Sequence, residues 1–121
     1  MMYRTAEAQM QHDQVAQVAV NHLAQNGYRN IWADLPGHTQ PALVKGTRQD
    51  HIAGVTADGV IVEVETSDMS QSDHTTSQWS LFADHAAKSR QTFSVLVPQS
   101  SVAASQSRLN ALSLTGQLYG V

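Results

Sequence analysis

Residues 48–73 read RQDHIAGVTADGVIVEVETSDMSQSD, from Arg48 to Asp73. Two short apolar runs flank Ala57-Asp58-Gly59, a strong hairpin turn signal. In the second run, Val60, Val62 and Val64 share one face of a strand reaching Thr66, and Ile61, Glu63 and Glu65 share the other. The stretch holds six of the ten carboxylates: Asp50, Asp58, Glu63, Glu65, Asp68 and Asp73. Asp58 suits the turn, and Asp68 and Asp73 suit a polar loop. Asp50, Glu63 and Glu65 stand in or beside the apolar runs, where acids are usually paired or bind a metal.

Register decides whether these three acids meet. A two-residue loop, Asp58-Gly59, pairs Asp50 with Ser67. A four-residue loop from Thr56 pairs Asp50 with Glu65. Both place Asp50, Glu63 and Glu65 on one face, whereas a three-residue loop or a bulge moves Asp50 to the other. His51 is then expected on the face opposite Asp50, in a structural or surface role.

Outward from the hairpin, Arg4 to Asn26 reads as a helix. Val15, Val18, Ala19, His22 and Leu23 form an amphipathic stripe, and Gly27 ends it. Tyr28 to Leu35 is a strand candidate, closed by the Pro36-Gly37 turn. Ala42 to Arg48 is an arm or edge strand, and Gln49 to Val55 is the first hairpin strand. Thr75-Thr76-Ser77-Gln78 has capping-box form, with Gln78 at N3. It opens a helix whose stripe is Trp79, Phe82, Ala83, Ala86 and Ala87. Phe93 to Val97 is a buried-type strand stopped by Pro98. Ser100 or Ser101 caps a helix reaching about Asn110, and Leu112 to Tyr119 is a last strand. This order gives a single α/β domain over residues 1–121, three-layered, with a mixed β-sheet and helices on both faces.

The composition bounds the function. At 121 residues and 41% hydrophobic, the chain suits one globular domain. Its net charge of −3 is not the balance of a protein that grips nucleic acid by phosphate neutralisation alone. With no cysteine, disulfides and thiolate metal sites are excluded. The N-terminus MMYRTAEAQMQHDQ lacks the apolar core of a signal peptide, and no apolar run approaches membrane-spanning length. A soluble, cytoplasmic protein is expected. His74 and His85 do not form a ligand pair, there is no Gly-x-Ser-x-Gly elbow and no Gly-rich phosphate loop, so zinc and serine-hydrolase chemistry are disfavoured.

Asp50, Glu63-Val64-Glu65-Thr66 and Gln78-x-x-x-Phe82 together resemble the PD-(D/E)xK nuclease superfamily, the restriction-endonuclease-like fold. The element order resembles that fold's core over nearly the whole chain, close in size to a Holliday-junction-resolvase-like domain. The resemblance implies Asp50 and Glu63 as ligands of Mg²⁺ (or Mn²⁺), with the Val64 backbone carbonyl completing the shell. It implies polarisation of a scissile phosphate and activation of water. It also implies Gln78 as a positioning residue and Glu7 as an accessory acid. Two departures stand out. Glu65 occupies the place of the superfamily's lysine, as base or extra ligand, and Gln49 replaces the usual proline.

The first reading is therefore a small, dimeric, Mg²⁺-dependent nuclease-like protein acting on DNA phosphodiesters. Asp50, Glu63, Glu65 and Gln78 carry the catalysis, and Lys45, Arg48, Lys88 and Arg90 contact the DNA backbone. The second keeps the fold, loses catalysis, and leaves a binding or regulatory module. The third is a plain assembly domain with Asp50 paired to Arg48, Glu63 and Glu65 on a solvated strand face, and Gln78 only capping.

Overall fold

The computed structural model describes residues 6–46, 51–66, 73–114 and 116–121. Its first element is helix α1, Ala6–Gln25. Tyr28 N–H donates to Leu23 O (3.1 Å) and Gly27 N–H to Ala24 O (3.2 Å), a Schellman closure. Gly27 has φ 80, the left-handed conformation that glycine adopts without a Cβ penalty.

The buried stripe of α1 is Ala8, His12, Val15, Ala16, Ala19 and Leu23. It is rotated from the expected one, because Val18 and His22 are exposed. Both line an open cavity of about 390 Å³ between α1 and the uncovered part of the sheet. His12 lies inside instead, with Nδ1 3.1 Å from Asp13 and Nε2 3.9 Å from Asp34.

Five strands follow: β1 Trp32–Ala33, β2 Val55–Ala57, β3 Val60–Val64, β4 Thr92–Val97 and β5 Gln117–Gly120. Helix α2, Asp73–Ser89, joins β3 to β4, and α3, Val102–Ala111, joins β4 to β5 after a 3₁₀ turn at Gln99–Ser101. The sheet order is β1-β2-β3-β4-β5. β1, β2 and β3 run antiparallel in sequence, and β3, β4 and β5 are parallel, so the sheet is mixed. Val60, Val62 and Val64 pack with Val15, Ala16, Ala19 and Leu23 of α1. Ile61 packs on the other face with Trp79, Phe82 and Ala86 of α2 and Leu109 of α3. Helices thus cover both faces of the sheet, as the element order required. None of the described helices is long and apolar enough to cross a membrane.

Several expected elements differ, and the last strand, expected over Leu112 to Tyr119, is Gln117–Gly120. The strand at Tyr28–Leu35 shrinks to Trp32–Ala33, because Asn30 turns left-handed at φ 56 and its amide donates to Asp58 (3.0 and 3.1 Å). Helix α2 starts at Asp73, so Thr75 is inside it, fully buried, and Gln78 is not at N3. Hydroxyl caps and buried first-turn threonines share one sequence pattern, and here packing uses it. The strand expected at Gln49–Val55 is regular only from Val55, with a lone bridge from His51 to Val44.

The reason for that last difference is Gly54. Ala57 pairs with Val60 across the two-residue loop Asp58-Gly59, and Val55 pairs with Val62. Val55 and Ala57 face α1, yet Ala53 packs with Ile61, Trp79 and Phe82 beneath α2. Residues two apart share a face in a regular strand, so the alternation slips by one at Gly54. A Cβ at Gly54 would sit 2.7 Å from Val64 Cγ2 and 3.0 Å from Val64 N, which is why the slip occurs at a glycine.

Candidate functional site

β3 sets the position of the two glutamates. It is central in the sheet, buried on both faces, and alternation puts Glu63 and Glu65 under α2 beside Ile61. Glu63 is 4% exposed and Glu65 is 3% exposed, so the solvated-face reading of these acids is excluded. Glu65 N–H donates to Leu96 O (3.0 Å), extending the parallel ladder one residue beyond the strand. Val64 N–H donates to Glu63 Oε1 at 3.1 Å, which folds that carboxyl back along its own strand.

The Glu65 carboxyl serves the core. Trp79 Nε1–H donates to Glu65 Oε1 at 3.1 Å. Trp79 is fully buried, and a buried indole N–H needs an acceptor. A lysine at this position would oppose a donor with a donor. Glutamate at position 65 therefore has a packing role.

One residue before Trp79, half-buried Gln78 donates from Nε2 to His51 Nδ1 at 3.4 Å. The His51 ring stands edge-on to Phe82, with centroids 6.4 Å apart and planes at 70°. His51 thus shares the α2 face with Glu63 and Glu65. His51 was expected on the face opposite Asp50, which lies outside the described residues; its place on the α2 face departs from unbroken alternation through Gly54. A single glycine inside a strand pattern is itself a bulge signal, and it was the available clue. Asp50 lies outside the described residues, as does Arg48.

The remaining candidates divide by location. Glu7 is exposed in the first turn of α1, and α1 packs on the sheet face opposite Glu63 and Glu65. Val64 turns its side chain to α1 and pairs with Leu96. Exposed Lys45 follows Val44, whose backbone is paired to His51 in both directions (2.8 and 3.0 Å). Lys88 and Arg90 belong to the far end of the domain. Lys88 lies ten residues, about 15 Å, along α2 from Gln78. There it pairs with Asp84 at 2.9 Å. Arg90 leads into β4, whose first N–H, Thr92, donates to Gly59 O of the hairpin turn (2.9 Å).

Two buried carboxyls, a half-buried imidazole and an amide thus lie under the N-terminal half of α2. Carboxylate oxygens are the donor type that Mg²⁺ and Mn²⁺ select. Among the described residues, no three His, Asp or Glu side chains gather closely enough to hold a metal. Comparison with protein-family models, with curated proteins and with solved structures returned no match.

Proposed function

We propose that the chain is a restriction-endonuclease-like domain that binds a divalent cation and hydrolyses DNA phosphodiesters, working as a homodimer. The observation that carries this reading is the pair Glu63 and Glu65, both buried on the one face of β3 that also holds Gln78 and His51. Removing two carboxyls from water on one face is costly unless charge is compensated, and a cation does this directly. Asp50 and Glu63 would hold Mg²⁺ or Mn²⁺, aided by the Val64 carbonyl. When bound, such an ion supplies charge at the phosphate and a more acidic attacking water. Gln78 orients groups at the site through its amide. In this scheme Lys45 and Arg48 are phosphate contacts.

The test is Mn²⁺ titration by calorimetry, followed by cleavage of labelled single-stranded and duplex DNA. Wild type is expected to bind Mn²⁺ and to cleave, and Asp50→Ala to lose both. Cleavage by Asp50→Ala at the wild-type rate, with contaminants excluded, would sink the assignment.

One observation favours the second reading, a fold kept without catalysis. The lysine position holds a glutamate committed to Trp79. That reading expects no Mn²⁺ uptake and no cleavage by the wild type.

A further inference from the structure

The sheet ends on one side in β5, and that edge is open among the described residues. Val121 N–H donates to Val97 O and Gln99 N–H donates to Val121 O, both at 3.0 Å, so both backbone groups of Val121 turn toward the β4 side. Alternation turns those of Gln117 and Tyr119 the same way, and those of Leu118 and Gly120 outward. Among the described residues nothing pairs with these outward groups.

Natural sheets blunt an open edge with lysine, proline or a bulge. β5 has none of these. It reads Gln117-Leu118-Tyr119-Gly120 in unbroken register with β4, and no charged side chain occurs from Leu109 to Val121. One face of β5 is covered, since Leu118 packs against the cluster that holds Leu109 of α3. The other face is bare, with Tyr119 50% and Val121 44% exposed. It continues into the open cavity beside α1, whose lining includes Val18, Tyr28 and Leu96 and no Lys, Arg, Asp or Glu. The Tyr119 hydroxyl donates to Gln117 Oε1 at 2.7 Å, which holds the ring beside its own strand.

We infer that β5 pairs antiparallel with β5 of a second copy of this chain, about a two-fold axis at Tyr119, joining the two sheets into one. In that register Leu118 faces Gly120 of the copy and Gly120 faces the copy's Leu118, each pair exchanging both N–H···O bonds. Tyr119 meets its own counterpart between them as a non-hydrogen-bonded pair, the closer kind, where aromatic contact across strands is favourable. The absence of charge is what points to a second copy. A two-fold contact sets residues at the axis against themselves, so any charge there would meet its like, in copies that each carry −3. The inference rests on the homodimer of the proposed function and supplies its surface, but the contact needs neither metal nor Asp50.

The experiment uses the full chain, which has no cysteine of its own. Sedimentation velocity follows wild type and Tyr119→Lys at concentrations up to about 1 mM, because an interface this small belongs to the weak class. Tyr119→Cys and Leu43→Cys are oxidised in parallel and run on non-reducing gels. Leu43 is 60% exposed and lies toward the opposite edge of the sheet, beside Trp32, so it reports random collision. Wild type is expected to dimerise reversibly. Tyr119→Lys is expected to raise the dissociation constant on the order of 10-fold, from the lost aromatic pair and the opposed charges. Tyr119→Cys is expected to form a disulfide-linked dimer, since facing Cα atoms about 4.5 Å apart lie within disulfide range, and Leu43→Cys is not. If Tyr119→Lys fails to fold by far-UV circular dichroism, the two cysteine variants decide. A wild type that stays monomeric overturns the inference and leaves the edge to a strand of another protein. A dimer in which Tyr119→Cys cross-links no better than Leu43→Cys, or which Tyr119→Lys leaves equally tight, uses another surface and also overturns it. The proposed reaction is read separately. A dimer cross-linked at position 119 without Mn²⁺ uptake or cleavage sinks only that reaction, and cleavage by a dimer on another surface sinks only the inference.

Discussion

Substituting Gly54 by alanine tests the local geometry on which the site depends. Gly54 has no left-handed φ, so the substitution is not opposed by backbone conformation. The opposition is steric. The added Cβ would lie 2.7 Å from Val64 Cγ2, 2.9 Å from Val64 Cβ and 3.0 Å from Val64 N. A rotamer change could move Cγ2 but not the other two atoms. Val64 is 3% exposed, wedged against α1 on one side and tied through the ladder to Leu96 on the other. Overpacking of this kind costs about 1–3 kcal/mol, and the backbone contact places Gly54→Ala in the upper half. Unfolding entropy is about 2.1 cal/mol/K per residue, or about 0.25 kcal/mol/K for this chain, so a loss of about 2–3 kcal/mol lowers Tm by roughly 8–12 °C. The assay is urea denaturation followed by far-UV circular dichroism, with the thermal midpoint measured in parallel. Val64→Ala in the same background removes Cγ2 and leaves the other clashes, so the double variant should be less destabilised than the two single losses predict. A Gly54→Ala protein within about 0.5 kcal/mol of wild type would refute the close approach. It would also remove the slip in alternation that brings His51 beneath α2.

Three further outcomes are expected. Glu65→Gln keeps an acceptor for the Trp79 indole and folds, whereas Glu65→Lys buries a donor-only charge against it and loses about 3 kcal/mol or more in urea denaturation. Ser105 is fully buried and its hydroxyl has no hydrogen-bond partner among the described residues, so Ser105→Ala should be neutral or stabilising, by up to about 1–2 kcal/mol; a clear loss of stability would refute this. Ser113 holds φ 55 just beyond α3, where Leu114 N–H returns to Leu109 O at 3.2 Å. Ser113→Gly should relieve the left-handed backbone and raise stability by about 0.5–1 kcal/mol, read as a higher denaturation midpoint at unchanged slope.

What the sequence made legible follows from how local each determinant is. The period of the apolar residues and Gly27 place the end of α1 within one residue. The valines of β3 place a central strand, and its pairing with β2 across Asp58-Gly59 is one of the registers that the sequence left open. Alternation alone places Glu63 and Glu65 together. Burial of both glutamates, by contrast, depends on α2 crossing above them, which is a tertiary fact. The Tyr28–Leu35 strand failed for a similar reason. Its β-forming composition is real, but Asn30 is drawn out of the extended region by Asp58, 28 residues away. His51 was misplaced by one glycine, because parity propagates and one irregular residue inverts everything beyond it.

Position 65 shows how packing and chemistry contend for the same side chain. Trp79 fills the space beneath α2 more completely than a smaller residue would, but it brings an N–H that must be satisfied away from water. Glu65 is the acceptor on β3 that meets it. Once the indole is in place, lysine at 65 is excluded by the core, whatever the domain does. Any positive charge required near Glu63 must then come from another element. His51 already stands on the same face, held by Gln78 from the helix that carries Trp79, and Lys45 lies beside the strand residue paired to His51. The useful perturbation is therefore joint. Trp79→Phe removes the indole N–H, and only in that background should Glu65→Lys become tolerable. If Glu65→Lys costs the same with tryptophan or phenylalanine at 79, the hydrogen bond is not what fixes the glutamate, and the packing account of position 65 is wrong.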